Sequence, residues 1–314
     1  MLYIPDDFFK EEERLGFLIP EVMKRGWAIQ LNLLDTMMTI AKKHGIKFWV
    51  DYGTLLGAVR HNGFIPWDDD IDICIMRNDY MKFIHILQDE LPSHCSVYSF
   101  YTSKNYDQPK AFIANRRHFD IGNDVYESEL TKQQYNCPYA SGIDMNPMDY
   151  VPKDDGQLEL IGNLYSSAYD LANRFDIYNA TGELEEYLTQ LEELLATHLT
   201  RDEHLRSSIW KLADAIAMMT TKEEADGIIW YAEIAVRGFN VKRKLESYSE
   251  TRYYDFEMLK VPVPVGYDEV LRTPYGNNYM TPVQAGSGHE YPFYKIQDKQ
   301  IVFYNKFGQI GDVF

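Results

Sequence analysis

From Asp70 to Met76 the chain reads Asp-Ile-Asp-Ile-Cys-Ile-Met, with isoleucine at every second position. A period of two is the pattern of a β-strand whose two faces differ. Ile71, Ile73 and Ile75 predict a face set into a core, and Asp70 and Asp72 then share the opposite face. Asp68 joins them only if extended backbone reaches back past it. Any fold for this chain must bury one side of this strand and tolerate carboxylates about 7 Å apart on the other. Such charges repel one another unless a cation lies between them. A bare Asp-x-Asp also suits a solvated acidic turn. Here Pro66 and Trp67 lead into the aspartates and the isoleucine face anchors the strand, which argues for a bound divalent ion. Mg²⁺ takes one or two carboxylates together with phosphate oxygens, and Mn²⁺ is the alternative.

About fifteen residues upstream lies "DYGTLLGAVRH". Gly53, following a strand candidate at Phe48–Val50, allows close approach of a ligand to the backbone. Thr54 is placed to N-cap a short helix that starts right after Gly53 and ends near Gly63. The N–H groups and dipole of such a helix favour phosphate, and Arg60, two turns on, could meet the same anion. A lone Gly-Thr turn is weak evidence. Beside an Asp-x-Asp strand it suggests phosphate at the helix start and metal at the strand.

Around this centre the pattern alternates. Pro20 to Lys43 has helical spacing and Gly45 stops it; Asn78 is a natural N-cap for a helix that Pro92 ends. "KAFIANRR" and "GIDMNPMDYVP" are further strand candidates, whereas roughly 155–240 holds several helix-period segments. The expected fold class is α+β: a mixed sheet core flanked by helices, with a mainly helical insertion or lobe. The expected units are residues 1–154, with the N-terminal helix and the α/β core; 155–248, mainly helical; and 249–314, returning to the core.

The net charge of −17 over 314 residues argues against a nucleic-acid partner, since phosphate backbones are held by Lys and Arg. Cys74, Cys95 and Cys137 lack the spacing of a zinc clip and predict reduced thiols. The N-terminus lacks the pattern of a signal peptide, and no run of about 18 apolar residues occurs, so no stable membrane insertion is expected. The expected location is the cytoplasm, with contact at the inner face of the membrane left open.

The stretch "GTLLGAVRHNGFIPWDDDID", followed by "RNDY", resembles the LicD family of the polymerase-β-like nucleotidyltransferase superfamily, to which fukutin and fukutin-related protein are similar. "GIDMNPMDYVP" and "LKVPVPVGYDEVLRTPYGNNYMTP" resemble two further family segments. The resemblance implies a nucleotidyltransferase-like core. It also implies that Asp70 and Asp72 are the metal-binding pair, that Asp144 is a third catalytic carboxylate, and that Asp68 supports them. Without it, Asp144 reads as an exposed polar residue of a strand.

The implied reaction is transfer of phosphocholine, or a related phospho-alcohol, from CDP-choline or another CDP-alcohol. The acceptor would be a hydroxyl of a cell-envelope glycan of teichoic acid or lipopolysaccharide type, in some relatives lipid-linked, and CMP would leave. Gly53, Thr54 and Arg60 would hold phosphate, as would Arg116 and its neighbour Arg117 unless they merely end a strand. His289 could reach the site or lie in a surface loop. A choline head group would need aromatic faces, for which Trp67, "TRYYDFEML" and "YGNNYM" are candidates. Rival readings are a nucleotidyltransferase that uses an NTP and releases pyrophosphate, a glycosyltransferase with its own Asp-x-Asp, and a non-catalytic nucleotide-binding protein.

Overall fold

The structure is a computed structural model that describes residues 1–117, 131–284 and 291–307. A short hairpin, β1 (Glu12–Arg14) and β2 (Phe17–Ile19), leads into the long helix α1 (Glu21–His44). Gly45, at φ 67°, closes α1 by donating to carbonyls of its last turn, so a left-handed residue ends the helix where the sequence places it. Then follow β3 (Phe48–Val50), α2 (Tyr52–His61), β4 (Ile71–Met76), α3 (Arg77–Glu90), β5 (Ser96–Tyr98), β6 (Ala111–Ala114) and β7 (Gly142–Pro152).

The main sheet runs in the order β3-β4-β7-β6-β5, and β8 (Ala225–Ile229) adds to the C-terminal part of β7. β4 and β7 are parallel, and the other pairings in this sheet are antiparallel. The molecule is thus α+β, with a mixed sheet flanked by helices. Ile71, Ile73, Ile75, Ile143 and Met145 share one core with Leu31, Leu34 and Met37 of α1 and Phe83, Ile84 and Leu87 of α3. Each such side chain, once fully buried, contributes about 1.5–3 kcal/mol.

The helical region comprises α4 (Asp155–Asn173), α5 (Phe175–Thr181), α6 (Leu184–Leu195), α7 (Leu205–Ala217) and α8 (Ala232–Arg237). It has its own core, centred on Tyr165, Leu188, Ile209 and Trp210. A buried ion cluster joins the two cores. Arg77, first residue of α3, donates to both carboxylate oxygens of Asp149 on β7, each at 2.7 Å, and to those of Asp214 on α7 at 2.8 and 3.0 Å. The chain then forms a hairpin of β9 (Thr251–Phe256) and β10 (Leu259–Pro264), α9 (Tyr267–Tyr275) and α10 (Tyr294–Phe307).

Two local expectations are corrected. Helix α2 begins at Tyr52, before Gly53, and its cap is Asp51, whose side chain accepts the Tyr52 N–H; Thr54 lies inside the first turn and is occupied elsewhere. Helix α3 begins at Arg77 rather than after Asn78, without a side-chain cap, because Arg77 turns inward to Asp149 and Asp214 as soon as β4 ends.

Candidate active site

The aspartate segment is held largely through its backbone. Trp27 of α1 stacks on Phe64 at 4.4 Å, and its indole N–H donates to the Asp68 carbonyl at 3.0 Å. Gln30, one turn on, donates to the Asp69 carbonyl at 2.8 Å. The Asp69 carboxylate, itself buried, accepts the Phe293 N–H at 2.6 Å, so the C-terminal segment also closes on this loop.

Where β4 begins, two bonds tie it to the start of α2. The Asp72 carbonyl accepts from Asp51 N–H and the Asp72 N–H donates to Thr54 Oγ1, both at 2.9 Å. Asp51 in turn accepts from Arg243 at 2.7 Å, and both side chains are buried. Gly53 lies directly against Asp68: a Cβ placed there would stand 2.3 Å from Asp68 Oδ2. The glycine of the sequence motif is thus the space into which a carboxylate fits.

Asp144 comes in from β7. In the parallel ladder Asp72 lies opposite Asp144, so strands about 4.8 Å apart set the two carboxylates side by side on one face. Asn146, two residues further on that face, donates to Asp72 Oδ1 at 3.3 Å. Lys110, just before β6, pairs with Asp144. Asp68, Asp70, Asp72 and Asp144 are all partly buried. Burial, then the charges of Asp70, Asp72 and Asp69, hold the Asp68 carboxyl well above the ordinary carboxylate range. Burial, then Asp70 and Asp144, do the same for Asp72, with Lys110 in opposition.

These donors fit a hard divalent ion. Asp68, Asp69 and Asp70 each place an oxygen within 4.8 Å of the others', and every candidate ligand is a carboxylate. Asp69 has one oxygen on the Phe293 N–H, and Asp72 and Asp144 add two further carboxylates beside this group. The raised carboxyls give the electrostatic reason: in a desolvated cluster the second and third negative charges are costly without a countercharge.

Gly53, Thr54, Asp68, Asp70, Asp72 and Asp144 are therefore gathered in one place. Trp67 sits in the lead-in turn and packs edge-on against Phe17 at 6.1 Å. Arg60 is directed to the C-terminal segment, where it donates to the Tyr279 carbonyl at 2.7 Å. Arg116 is buried past the end of β6 and donates to Thr131 Oγ1 at 3.2 Å and the Pro138 carbonyl at 3.3 Å. His289 lies outside the described residues. Of the aromatic candidates, Tyr275 is close enough that Asp68, Asp72 and Asp51 add to the effect of burial in raising its hydroxyl.

Sequence reasoning missed Lys110, Asn146 and Asp51. Asn146 was legible as the residue two positions from Asp144, and Asp51 as a capping residue before Gly53. Nothing in the sequence linked Lys110 to Asp144, because that pairing depends on the β6–β7 register.

Residues 45–140 match the family described as LicD/FKTN/FKRP, nucleotidyltransferase domain. This segment takes in Gly53, Thr54 and the aspartates of β4 but stops short of Asp144. The lipopolysaccharide cholinephosphotransferase LicD of Haemophilus influenzae is 42% identical over 67 residues, 21% of this chain and 25% of that protein. An uncharacterized protein of Rickettsia typhi is 60% identical over 56 residues, 18% of each chain. The human ribitol 5-phosphate transferase FKRP is 49% identical over 35 residues, 11% of this chain and 7% of that protein. The similarity thus spans a quarter or less of each of these relatives. Over residues 45–140 the chain is thus similar to the nucleotidyltransferase domain of the LicD family.

Proposed function

We propose that this protein is a metal-dependent phosphotransferase that moves phosphocholine, or a related phospho-alcohol, from a CDP-activated donor to a hydroxyl of a cell-envelope glycan. The observation that carries this reading is the convergence of Asp72 and Asp144 on adjacent parallel strands beside Asp68 and the start of α2, within and just beyond the LicD-type segment. Two of the matched relatives are named for cholinephosphate and ribitol 5-phosphate transfer.

In the proposed reaction the acceptor oxygen attacks the phosphorus that carries the alcohol. A new P–O bond forms, the bond to the bridging oxygen breaks, and CMP leaves with that oxygen and its electron pair. Asp70, Asp72 and Asp144 would hold Mg²⁺, with Mn²⁺ as the alternative. Bound there, the ion would neutralise charge on the diphosphate oxygens. The first-turn N–H groups of α2 would orient the donor's phosphates. An ionised Asp68 or Asp144 would receive the acceptor's proton. Lys110 keeps Asp144 in place and offsets part of the negative field.

Among the described residues no helix is long and apolar enough to cross a membrane, so a lipid-linked acceptor would be met at the membrane surface. The test is CMP release from CDP-choline and other CDP-alcohols, with Mg²⁺ and a panel of glycan acceptors, alongside Asp70→Asn. Metal-dependent CMP that vanishes in the variant supports the reading. Pyrophosphate released from CTP, with no CMP from any CDP-alcohol, replaces it with nucleotidyl transfer.

A further inference from the structure

The carboxylate cluster raises a problem for its own ligand: a diphosphate must approach several negative charges. The cations around the site are mostly committed. Lys110 is paired with Asp144; Arg243 is buried with Asp51 and with Glu233 at 3.3 Å; Arg60 donates to the Tyr279 carbonyl. Arg237 differs. It is the last residue of α8, its side chain is 46% exposed, and its nearest carboxylate among the described residues, Glu233, stands at 3.9 Å, the edge of ion-pair range.

Its guanidinium carbon lies 6.0 Å from the centroid of the Tyr52 ring. Tyr52 is the residue before Gly53, and so before the space filled by Asp68. Its backbone is in the left-handed region, at φ 42°, which is uncommon for a residue with a large side chain. Such a conformation is costly and persists only where the surroundings impose it. They do so here: the ring meets Trp230 edge-on at 6.3 Å and carries the Arg243 guanidinium at 5.2 Å. A guanidinium resting on a ring face keeps its in-plane N–H groups for another acceptor. Tyr275, which feels Asp68 and Asp72, also feels the charge of Arg237, consistent with a place at the rim of the site.

We propose that Arg237, supplied by the helical region and supported on Tyr52, is the arginine that binds the phosphates of a nucleoside diphosphate ligand at the acidic site. This rests on the reading above that the site takes a CDP-activated donor. It also gives the helical region a part in that site.

The test is calorimetric titration of the full chain, with Mg²⁺, using CDP as probe and cytidine as its phosphate-free counterpart. Wild type, Arg237→Gln and Arg237→Lys are compared, with melting curves to confirm folding. Loss of a charge-assisted pair to phosphate should weaken CDP binding in Arg237→Gln about 10- to 100-fold. Arg237→Lys should recover part of the loss, and cytidine affinity should stay the same. CDP affinity within twofold of wild type in Arg237→Gln would overturn the proposal, as would a parallel loss for cytidine. If wild type binds UDP or ADP in place of CDP, the cytidine reading falls and the same comparison with that nucleotide decides the arginine. Binding of no nucleoside diphosphate overturns both.

Discussion

Replacing Gly53 with alanine separates folding from catalysis. The added Cβ would stand 2.3 Å from Asp68 Oδ2, where ordinary contact needs about 3.4 Å. The carboxylate must therefore retreat by about 1 Å, since it is the far end of a side chain and the α2 backbone is held through Asp51 and Thr54. A misplacement of about 1 Å in a catalytic site is enough for roughly a 100-fold loss of rate, or about 2.7 kcal/mol of barrier. Stability should move the other way or stay level. Gly53 is inside α2, and alanine in a helix is favoured over glycine by up to about 1 kcal/mol. The assay is initial rate of CMP release under saturating donor, paired with a thermal melt. Gly53→Ala should melt no lower than wild type and turn over about 100-fold more slowly. In an Asp68→Ala background the same change should cost little further, because the clashing oxygen is gone. Wild-type turnover in Gly53→Ala would refute the assignment of a function to Asp68 at this position.

Further outcomes follow from the same geometry. Asp68 and Asp72 have carboxyls raised by burial and then by neighbouring carboxylates, so the unfolded chain loses these protons first, from about pH 4. Their contribution to stability is thus fully present below that value and declines as pH rises through the raised native values. The melting temperature of EDTA-treated protein should therefore show a component that falls as pH rises above about 4, and Asp72→Asn should reduce that slope while abolishing activity. Mg²⁺ should raise the melting temperature at neutral pH, by the equivalent of about 2.7 kcal/mol at a hundred times its dissociation constant; Asp70→Asn with an undiminished shift would count against that ligand. Arg77→Met should cost about 3–5 kcal/mol in urea unfolding, because it leaves Asp149 and Asp214 buried without their shared cation.

What the sequence determined by itself was local and periodic. The isoleucine alternation at 71–75 marked β4 and its two faces, helical spacing marked α1 up to Gly45, and the Gly53 turn and the aspartates marked two segments that the structure sets against each other. These were legible because a strand face, a helix face and a turn are each decided by residues a few positions apart. The cap of α2 was misread because Asp51 and Thr54 are both good capping residues, and only the bond from Asp72 N–H shows where Thr54 is used. Register and chain crossing belonged to the tertiary structure alone. The parallel pairing of β4 with β7 sets Asp144 opposite Asp72 across 72 positions of sequence, the lead into β6 brings Lys110 to Asp144, and α8 carries Arg237 to Tyr52. No local pattern encodes such meetings, since they are fixed by how separately formed elements bury their apolar faces in a common core.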